Sequence, residues 1–191
     1  MSRVVLFVVV ASQVTLGGGR PFAPLGRIAV VERDAMVAMR DGVKLATDIA
    51  RPRDERPHPV VLLRTPYGKN LGPAARLLRE GYAVVAQDVR GRFKSEGEFY
   101  PFIHDFNDAH DTIAWLLQQP WCNGKVGMIG GSYLGFTQLA AAMTGPPGLK
   151  CINPVVPPAD FDNGCIFNDG ALRQELVQGW LIGQAWRWSG G

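Results

Sequence analysis

The stretch that most restricts what this chain can fold into runs from Lys125 to Phe136 and reads Lys125-Val-Gly-Met-Ile-Gly-Gly-Ser-Tyr-Leu-Gly-Phe136. Lys125 to Ile129 is a short apolar run suited to a buried strand, Gly130 and Gly131 break it, and an Ala-rich helical pattern begins after Ser132. Strand, tight turn and helix in that order bring two elements close together on either side of the serine. Glycine at Gly130 and Gly135 then has a steric reason, because a Cβ at either place would meet the opposing element.

A serine on such a turn is held in a strained backbone conformation with its hydroxyl projecting at the top of a sheet, the geometry of the nucleophile elbow of α/β-hydrolases. The pattern here is Gly130-x-Ser132-x-x-Gly135, with Leu134 where the commonest form, G-x-S-x-G, has its second glycine. On its own the motif reads equally well as an ordinary βα turn, so the decision falls to the residues around it.

At 191 residues, 47% hydrophobic and 19% charged, the chain holds one core, a domain or part of one. The net charge of +3 is spread along it without a Lys/Arg run or a basic aromatic stripe, which argues against a nucleic-acid surface. Cys122, Cys151 and Cys165 form no CxxC pair and read as buried or free thiols, and His58, His104 and His110 are too scattered for a metal cluster. Neither a metal nor another cofactor is expected.

Residues 2–19 carry Arg3, an apolar run from Val4 to Ala11 and a small, polar tail through Gly17-Gly18-Gly19, the layout of a secretory signal peptide. That reading implies a secreted or periplasmic protein; a leader of other origin or a first core strand fits the same residues and implies a cytoplasmic one. The run is too short to span a bilayer. From Met36 to Arg51, alternating apolar residues on both sides of Asp41-Gly42 predict a β-hairpin. Val60 to Leu63 and Tyr82 to Asp88 are continuous apolar runs of the kind found in parallel strands buried on both faces. A helix over about residues 73–80, stopped by Gly81, lies between them, and a second puts Ala109, Ile113, Leu116 and Leu117 on one face until Pro120. After the elbow helix, Leu149 to Asn153 reads as one more strand and Ala171 to Trp186 as an apolar helix. The sum is a doubly wound α/β pattern, with Val61, Leu62, Val84, Val85, Ile113, Leu117, Val126 and Met128 predicted in its core.

Six blocks of this sequence then stand together: Met39-Arg-Asp-Gly-Val-Lys-Leu45, Arg64-Thr-Pro-Tyr67, Gly81-Tyr-Ala-Val-Val-Ala-Gln-Asp-Val-Arg-Gly-Arg92, Ser95-Glu-Gly-Glu-Phe99, Pro120-Trp-Cys-Asn-Gly-Lys-Val-Gly127 and Gly130-Gly-Ser-Tyr-Leu-Gly135. In these blocks and their order the chain resembles the serine hydrolase family that includes bacterial cocaine esterase, α-amino acid ester hydrolases and X-prolyl dipeptidyl peptidases. The resemblance covers about residues 36–160. It implies an α/β-hydrolase fold, with the N-terminal part of the doubly wound domain over 28–160 and the start of a helical cap over 161–191, after the possible signal peptide or leader read from the residues over 1–27.

The family's elbow, Gly-x-Ser-Tyr-x-Gly, has its second glycine at the third place after the serine, so Leu134 is no departure from it. The resemblance implies Ser132 as nucleophile and an oxyanion hole made by the backbone N–H of Tyr133 and the hydroxyl of Tyr67. It implies an acyl-enzyme route on a small ester or peptide substrate. Trp180 and Trp186 would line the acyl pocket, plain core packing being the other reading of two tryptophans on an apolar helix.

The departure lies downstream. In this fold the triad runs Ser, Asp, His along the chain, yet no histidine follows Ser132. His104 and His110 precede the elbow strand, one in a loop and one at a helix start, and are expected to be solvated or capping residues. Asp160 and Asp162 stand where an acid could orient a base, but the resemblance puts acid and histidine beyond the last residue of this sequence. The expectation is a catalytically incomplete part of a serine hydrolase, with a non-catalytic fragment or pseudoenzyme as the competing reading.

Overall fold

The structure, a computed structural model, describes residues 28–188, with side chains through Gln184. The leader or signal segment read over 1–27 and the side chain of Trp186 lie outside the described residues. Strands β1 (Ala29–Ala38) and β2 (Lys44–Pro52) form the hairpin expected around Asp41-Gly42, where Gly42 takes φ +87°. β1 starts earlier than its alternation signals, because a bulge between Glu32 and Ala35, with Asp34 at φ +55°, breaks the period of two.

β2 pairs antiparallel with β4 (Ala83–Asp88), and β4 runs parallel to β3 (His58–Thr65), which in turn pairs with β5 (Cys122–Gly131) and β5 with β6 (Leu149–Val155). The sheet order is β1-β2-β4-β3-β5-β6. Helices α1 (Ala74–Arg79), α2 (Asp105–Leu117) and α3 (Tyr133–Thr144) supply the crossovers. α1 ends as the sequence predicts: Tyr82 N–H bonds Leu77 O at 3.0 Å and Gly81 N–H bonds Leu78 O at 3.1 Å, with Gly81 at φ +82°.

The two faces of the central strands separate cleanly. Val60, Leu62, Ala83, Val85, Val126 and Met128 pack with Ile113 and Leu116 of α2, while Val84 and Ala86 point the other way and pack with Ala74 and Leu78 of α1. This is the apolar burial on both sides that the continuous runs imply. The predicted core is found, with one correction. Leu117 is half-buried at the edge of the cluster, against the backbone of Gly148, and Leu116 takes the inward position. Cys151 is exposed, Cys122 and Cys165 are half-buried, and all three are free thiols.

Beyond β6 the chain makes a short π-type turn at Phe161–Cys165, a two-stranded ribbon of β7 (Phe167–Asn168) and β8 (Ala171–Leu172), and helix α4 (Gln174–Trp188). The helix predicted from Ala171 therefore begins at Gln174. Asp169 and Gly170, at φ +49° and +80°, form a two-residue hairpin turn, and Ala171 and Leu172 are taken up in its second strand. No helix among the described residues is long and apolar enough to cross a membrane.

One ion cluster pins the β1 bulge to the loop that follows β3. Lys69 Nζ lies 2.7 Å from Asp34, 3.3 Å from Asp88 and 3.7 Å from Asp48, and Lys94 also reaches Asp34. Burial pushes the Asp88 carboxyl up against the pull of Lys69. Replacing Lys69 by Met strands buried carboxylates, so Lys69→Met is expected to lose about 3–5 kcal/mol in urea unfolding; an unchanged midpoint would show that the cluster holds nothing together. Hydrogen bonds from Lys69 and Lys94 hold Asp34 well below the usual carboxylate range, at about 2. Its contribution is complete above the unfolded value of 3.8 and is lost as pH falls toward about 2. The unfolding midpoint should drop across that window, and Asp34→Asn should flatten the drop.

Candidate functional site

The end of β5 and the start of α3 meet at Ser132, whose backbone sits at φ +57°, ψ −124°. A non-glycine residue holds such a conformation only where its surroundings over-determine it, at about 1–3 kcal/mol of strain. Here the Ser132 N–H bonds Val155 O at 2.9 Å, and its carbonyl accepts from Gly135 at 2.8 Å and Phe136 at 3.1 Å. Glycine is required at 130, and at 135 it avoids a tight contact. A Cβ on Gly130, which is at φ +140°, would fall 2.5 Å from Leu134 Cβ, and one on Gly135 would fall 3.0 Å from Pro157 Cβ.

A buried side chain that sequence reasoning missed stitches this turn to the sheet. Gln138 Nε2 donates to Gly130 O at 3.0 Å, and its Oε1 accepts the Asn153 N–H at 2.8 Å. Gln138 lies one turn along α3 from Leu134, whose carbonyl it also reaches. Nothing in a helical apolar pattern distinguishes such a glutamine from a solvated one.

Ser132 is exposed on the wall of a cleft of about 730 Å³ that Tyr67, Tyr133 and Trp180 also line. Tyr67 comes from the loop after β3, where its N–H bonds Thr65 Oγ1 at 3.0 Å and the Lys69 N–H bonds Asp88 Oδ1. The Tyr67 oxygen accepts from Trp180 Nε1 at 3.2 Å, which joins α4 to the β3 loop. The backbone N–H of Tyr133 is the first of α3, a position with no intrahelical acceptor, at the end of a helix that favours negative charge. Ser132, Tyr67, Tyr133 and Trp180 thus stand on one cleft, and Trp186, the other residue expected there, has its side chain outside the described residues.

The Tyr133 side chain turns inward, into a buried ionic layer. Its hydroxyl donates to Asp105 Oδ2 at 2.6 Å. Burial, and then the neighbouring Asp105 charge, push the phenol pKa far up, which keeps it a donor. Asp105 lies 3.3 Å from Arg64 Nη1, and Arg64 Nε donates to Gln87 at 2.8 Å. Burial raises the Asp105 carboxyl while Arg64 draws it down. Alongside, Arg90 bonds Asp108 and Asp41, and Arg92 Nε donates to Pro66 O at 3.0 Å, behind the Tyr67 loop. The roles of Arg64, Arg90, Asp105 and Asp108 were not read from the sequence; the signal was a pair of arginines at the ends of apolar strands, where a charge survives only if it is paired.

The other candidates fall elsewhere. Asp160 touches the cleft, but its carboxylate caps the turn after β6 by accepting from the Asp162 and Asn163 N–H groups. Asp162 lies outside the cleft lining. His104 stands at the N-terminus of α2 with no capping bond from its side chain, and packs near Tyr100. His110 is not at a helix start but within α2, beside Arg40 and Asp111. His58 is buried at the opposite end of β3, between Asp54 and Gly81 O. None of the three histidines lines the cleft.

The family model for X-Pro dipeptidyl-peptidase (S15 family) matches residues 41–189. The chain is 48% identical over 164 residues to the cocaine esterase of Rhodococcus sp. (strain MB1 Bresler), an alignment that takes in 80% of this chain and 29% of that protein. It is 46% identical over 123 residues to a putative Xaa-Pro dipeptidyl-peptidase of Rhodopirellula baltica, covering 52% of this chain and 19% of the other. Among solved structures, a CocE/NonD family hydrolase from Staphylococcus aureus superposes with a TM-score of 0.79 at 30% identity, over 85% of this chain and 34% of that one. An α-amino acid ester hydrolase does so with a TM-score of 0.70 at 35% identity, over 86% and 32%. The chain spans about a third or less of the length of these relatives. With the sheet order, the helices on both faces and the serine turn in place, it has the α/β-hydrolase fold, and it belongs to the X-Pro dipeptidyl-peptidase (S15) family of serine hydrolases.

Proposed function

We propose that this chain carries the nucleophile and the oxyanion hole of an acyl hydrolase that cleaves an ester or amide through an acyl-serine intermediate, with α4 as the start of a cap over the site. The observation that carries the reading is Ser132 at φ +57°, opening α3 in the same cleft as Tyr67. The Ser132 oxygen attacks the substrate carbonyl carbon as its proton passes to solvent water, and the electron pair displaced from the C=O double bond gathers on the carbonyl oxygen. The Tyr133 N–H and the Tyr67 O–H stabilise that charge. Polarised by the Trp180 N–H that its oxygen accepts, the Tyr67 phenol is the stronger donor. Collapse expels the alcohol or amine, which takes up a proton from solvent, and water then adds to the acyl carbon, releasing the acid and returning a proton to the serine oxygen.

A second reading has one observation in its favour. With no histidine after Ser132 and none lining the cleft, the residues in hand supply no base for the serine proton, and the site would bind an acyl compound without turning it over. A serine without a base is a weak nucleophile, so the 191-residue chain is expected to hydrolyse an activated aryl ester only slowly.

Both readings meet the same experiment: label the chain with a serine-directed aryl phosphonate, map the adduct and follow aryl ester hydrolysis in parallel. Adduct on Ser132, lost in Ser132→Ala and slowed about 10²–10³-fold in Tyr67→Phe, supports the hydrolase reading; no adduct, or labelling indifferent to Ser132, overturns it. Gly130→Ala forces a Cβ into Leu134 at a backbone angle closed to alanine, and is expected to cost about 2–4 kcal/mol of stability by urea unfolding and to abolish labelling. Wild-type stability in that variant would mean that the elbow is not under the constraint described.

A further inference from the structure

Arg92 is 2% exposed, and the turn that carries it is fixed from several sides. Its N–H bonds Val89 O at 3.1 Å, and its carbonyl accepts from Ser95, whose hydroxyl stands between the Ala46 N–H and Asp88 O. A Cβ on Gly91, at φ +68°, would fall 2.2 Å from the Phe99 nitrogen, so the turn is closed to a side chain there. The guanidinium lies over Phe93 and Phe99, 5.4 and 5.1 Å from the ring centroids, which fixes its plane and leaves its N–H groups to other partners.

Two of those partners belong to different parts of the fold. Nε donates to the carbonyl of Pro66, the residue before Tyr67. Nη2 donates to Gln184 Oε1 of α4 at 3.3 Å, with Nη1 facing the Gln184 carbonyl at 3.5 Å. Gln184 is 8% exposed while its neighbours Leu181 and Ile182 are 50% and 67% exposed, so this face of α4 is turned inward. Trp180, one turn earlier on the same face, donates to the Tyr67 oxygen. α4 thus meets the Tyr67 loop twice, at the phenol through Trp180 and at the preceding peptide through Arg92. A rigid planar fork ties two acceptors at one spacing, which an ammonium on a flexible stem does not do.

We propose that Arg92 is a positioning residue for Tyr67, tying the seat of α4 to the loop that carries the hydroxyl, so that this donor is aimed while α4 is docked and misaimed when the tie is cut. The proposal rests on the reading of Tyr67 as a donor to the substrate carbonyl oxygen.

The test measures the rate at which an aryl phosphonate labels Ser132 in the 191-residue chain for wild type, Arg92→Lys, Gln184→Leu, Tyr67→Phe and Arg92→Lys combined with Tyr67→Phe, each checked for folding by circular dichroism. Fluorine NMR of the chain carrying ring-fluorinated tyrosine follows Tyr67 itself, its resonance assigned by its loss in Tyr67→Phe. Arg92→Lys keeps the buried charge without the fork, and Gln184→Leu keeps the volume without the amide. Each is expected to slow labelling by about tenfold and to shift the Tyr67 resonance; the loss is smaller than that of removing the donor, because the hydroxyl is misaimed and not deleted. In the Tyr67→Phe background Arg92→Lys should slow labelling no further, since Arg92 acts through that hydroxyl, whereas a side chain that only stabilises the fold would slow both backgrounds alike. If Arg92→Lys does not fold, Gln184→Leu carries the same comparison, alone and with Tyr67→Phe. A Tyr67 resonance unmoved in the single variants, or a further loss in the double variant, would overturn the proposal. Absence of any Ser132 adduct, with the Tyr67 resonance shifted in both single variants, would sink the hydrolase reading and leave Arg92 as the residue that positions Tyr67. Labelling that is slowed in Tyr67→Phe but not in Arg92→Lys or Gln184→Leu would sink this inference alone.

Discussion

The guanidinium of Arg64 is completely buried at the C-terminal end of β3, and its partners come from the layers that surround the cleft. β4 supplies Gln87, and α2 supplies the Asp105 carbonyl and carboxylate. Asp108 approaches Nη2 to 3.8 Å while committed to Arg90, and Nη2 has no hydrogen-bond partner among the described residues. A charge taken this far out of water is tolerated only while its partners stay in place, and removal of one partner costs more than the pair contributes. The arrangement is therefore better understood as fixing geometry than as adding stability. Through Asp105 it fixes the Tyr133 phenol, and through that phenol the first turn of α3.

Strain at the cleft follows the same logic. Ser132, Phe102 and Val156 are non-glycine residues at positive φ, and all three line the cleft. Each adjoins a partner that the fold already holds: Ser132 bonds the carbonyl of Val155, the residue before Val156, and Phe102 bonds Tyr133, the residue after Ser132. The unfavourable backbone angles are thus neighbours, each held by hydrogen bonds of the same short stretch of rim.

What was legible in the sequence was what depends on neighbours along the chain. The elbow could be read because the glycines that permit it stand within a few residues of the serine, and the buried strands because burial on both faces leaves an unbroken apolar run. The start of β1 was not legible, since the bulge at Asp34 destroys the alternation that marks a strand. The turn at Asp169-Gly170 was legible in principle, as Asp-Gly is a favoured hairpin pair, but its flanking strands are two residues each and carry almost no pattern. The ionic layer was hidden for a different reason. Arg64 meets Asp105 across 41 positions and Arg90 meets Asp41 across 49, and a charged residue looks the same in a sequence whether its partner is a buried carboxylate or water. The positive φ of Phe102 was hidden likewise, because the hydrogen bond its N–H makes is to Tyr133, 31 positions along the chain.

The position of the cleft follows from the order in which the strands are laid down. From β3 the chain passes to α1 and on to β4, on the face where Ala74 and Leu78 pack. From β5 it passes to α3 and on to β6, and α3 contributes Ala141 to the opposite face. Adjacent parallel strands whose connections leave in opposite directions part at their C-terminal ends, and in open α/β sheets that parting is where ligands bind. β3 and β5 are such a pair here, hydrogen-bonded to each other though β4 separates them in sequence. Tyr67 stands just past the end of one and Ser132 just past the end of the other. A donor and a serine that are far apart in the chain are therefore placed on one cleft by sheet order alone, before any side chain is chosen, and the buried layer beneath them has only to fix their orientation.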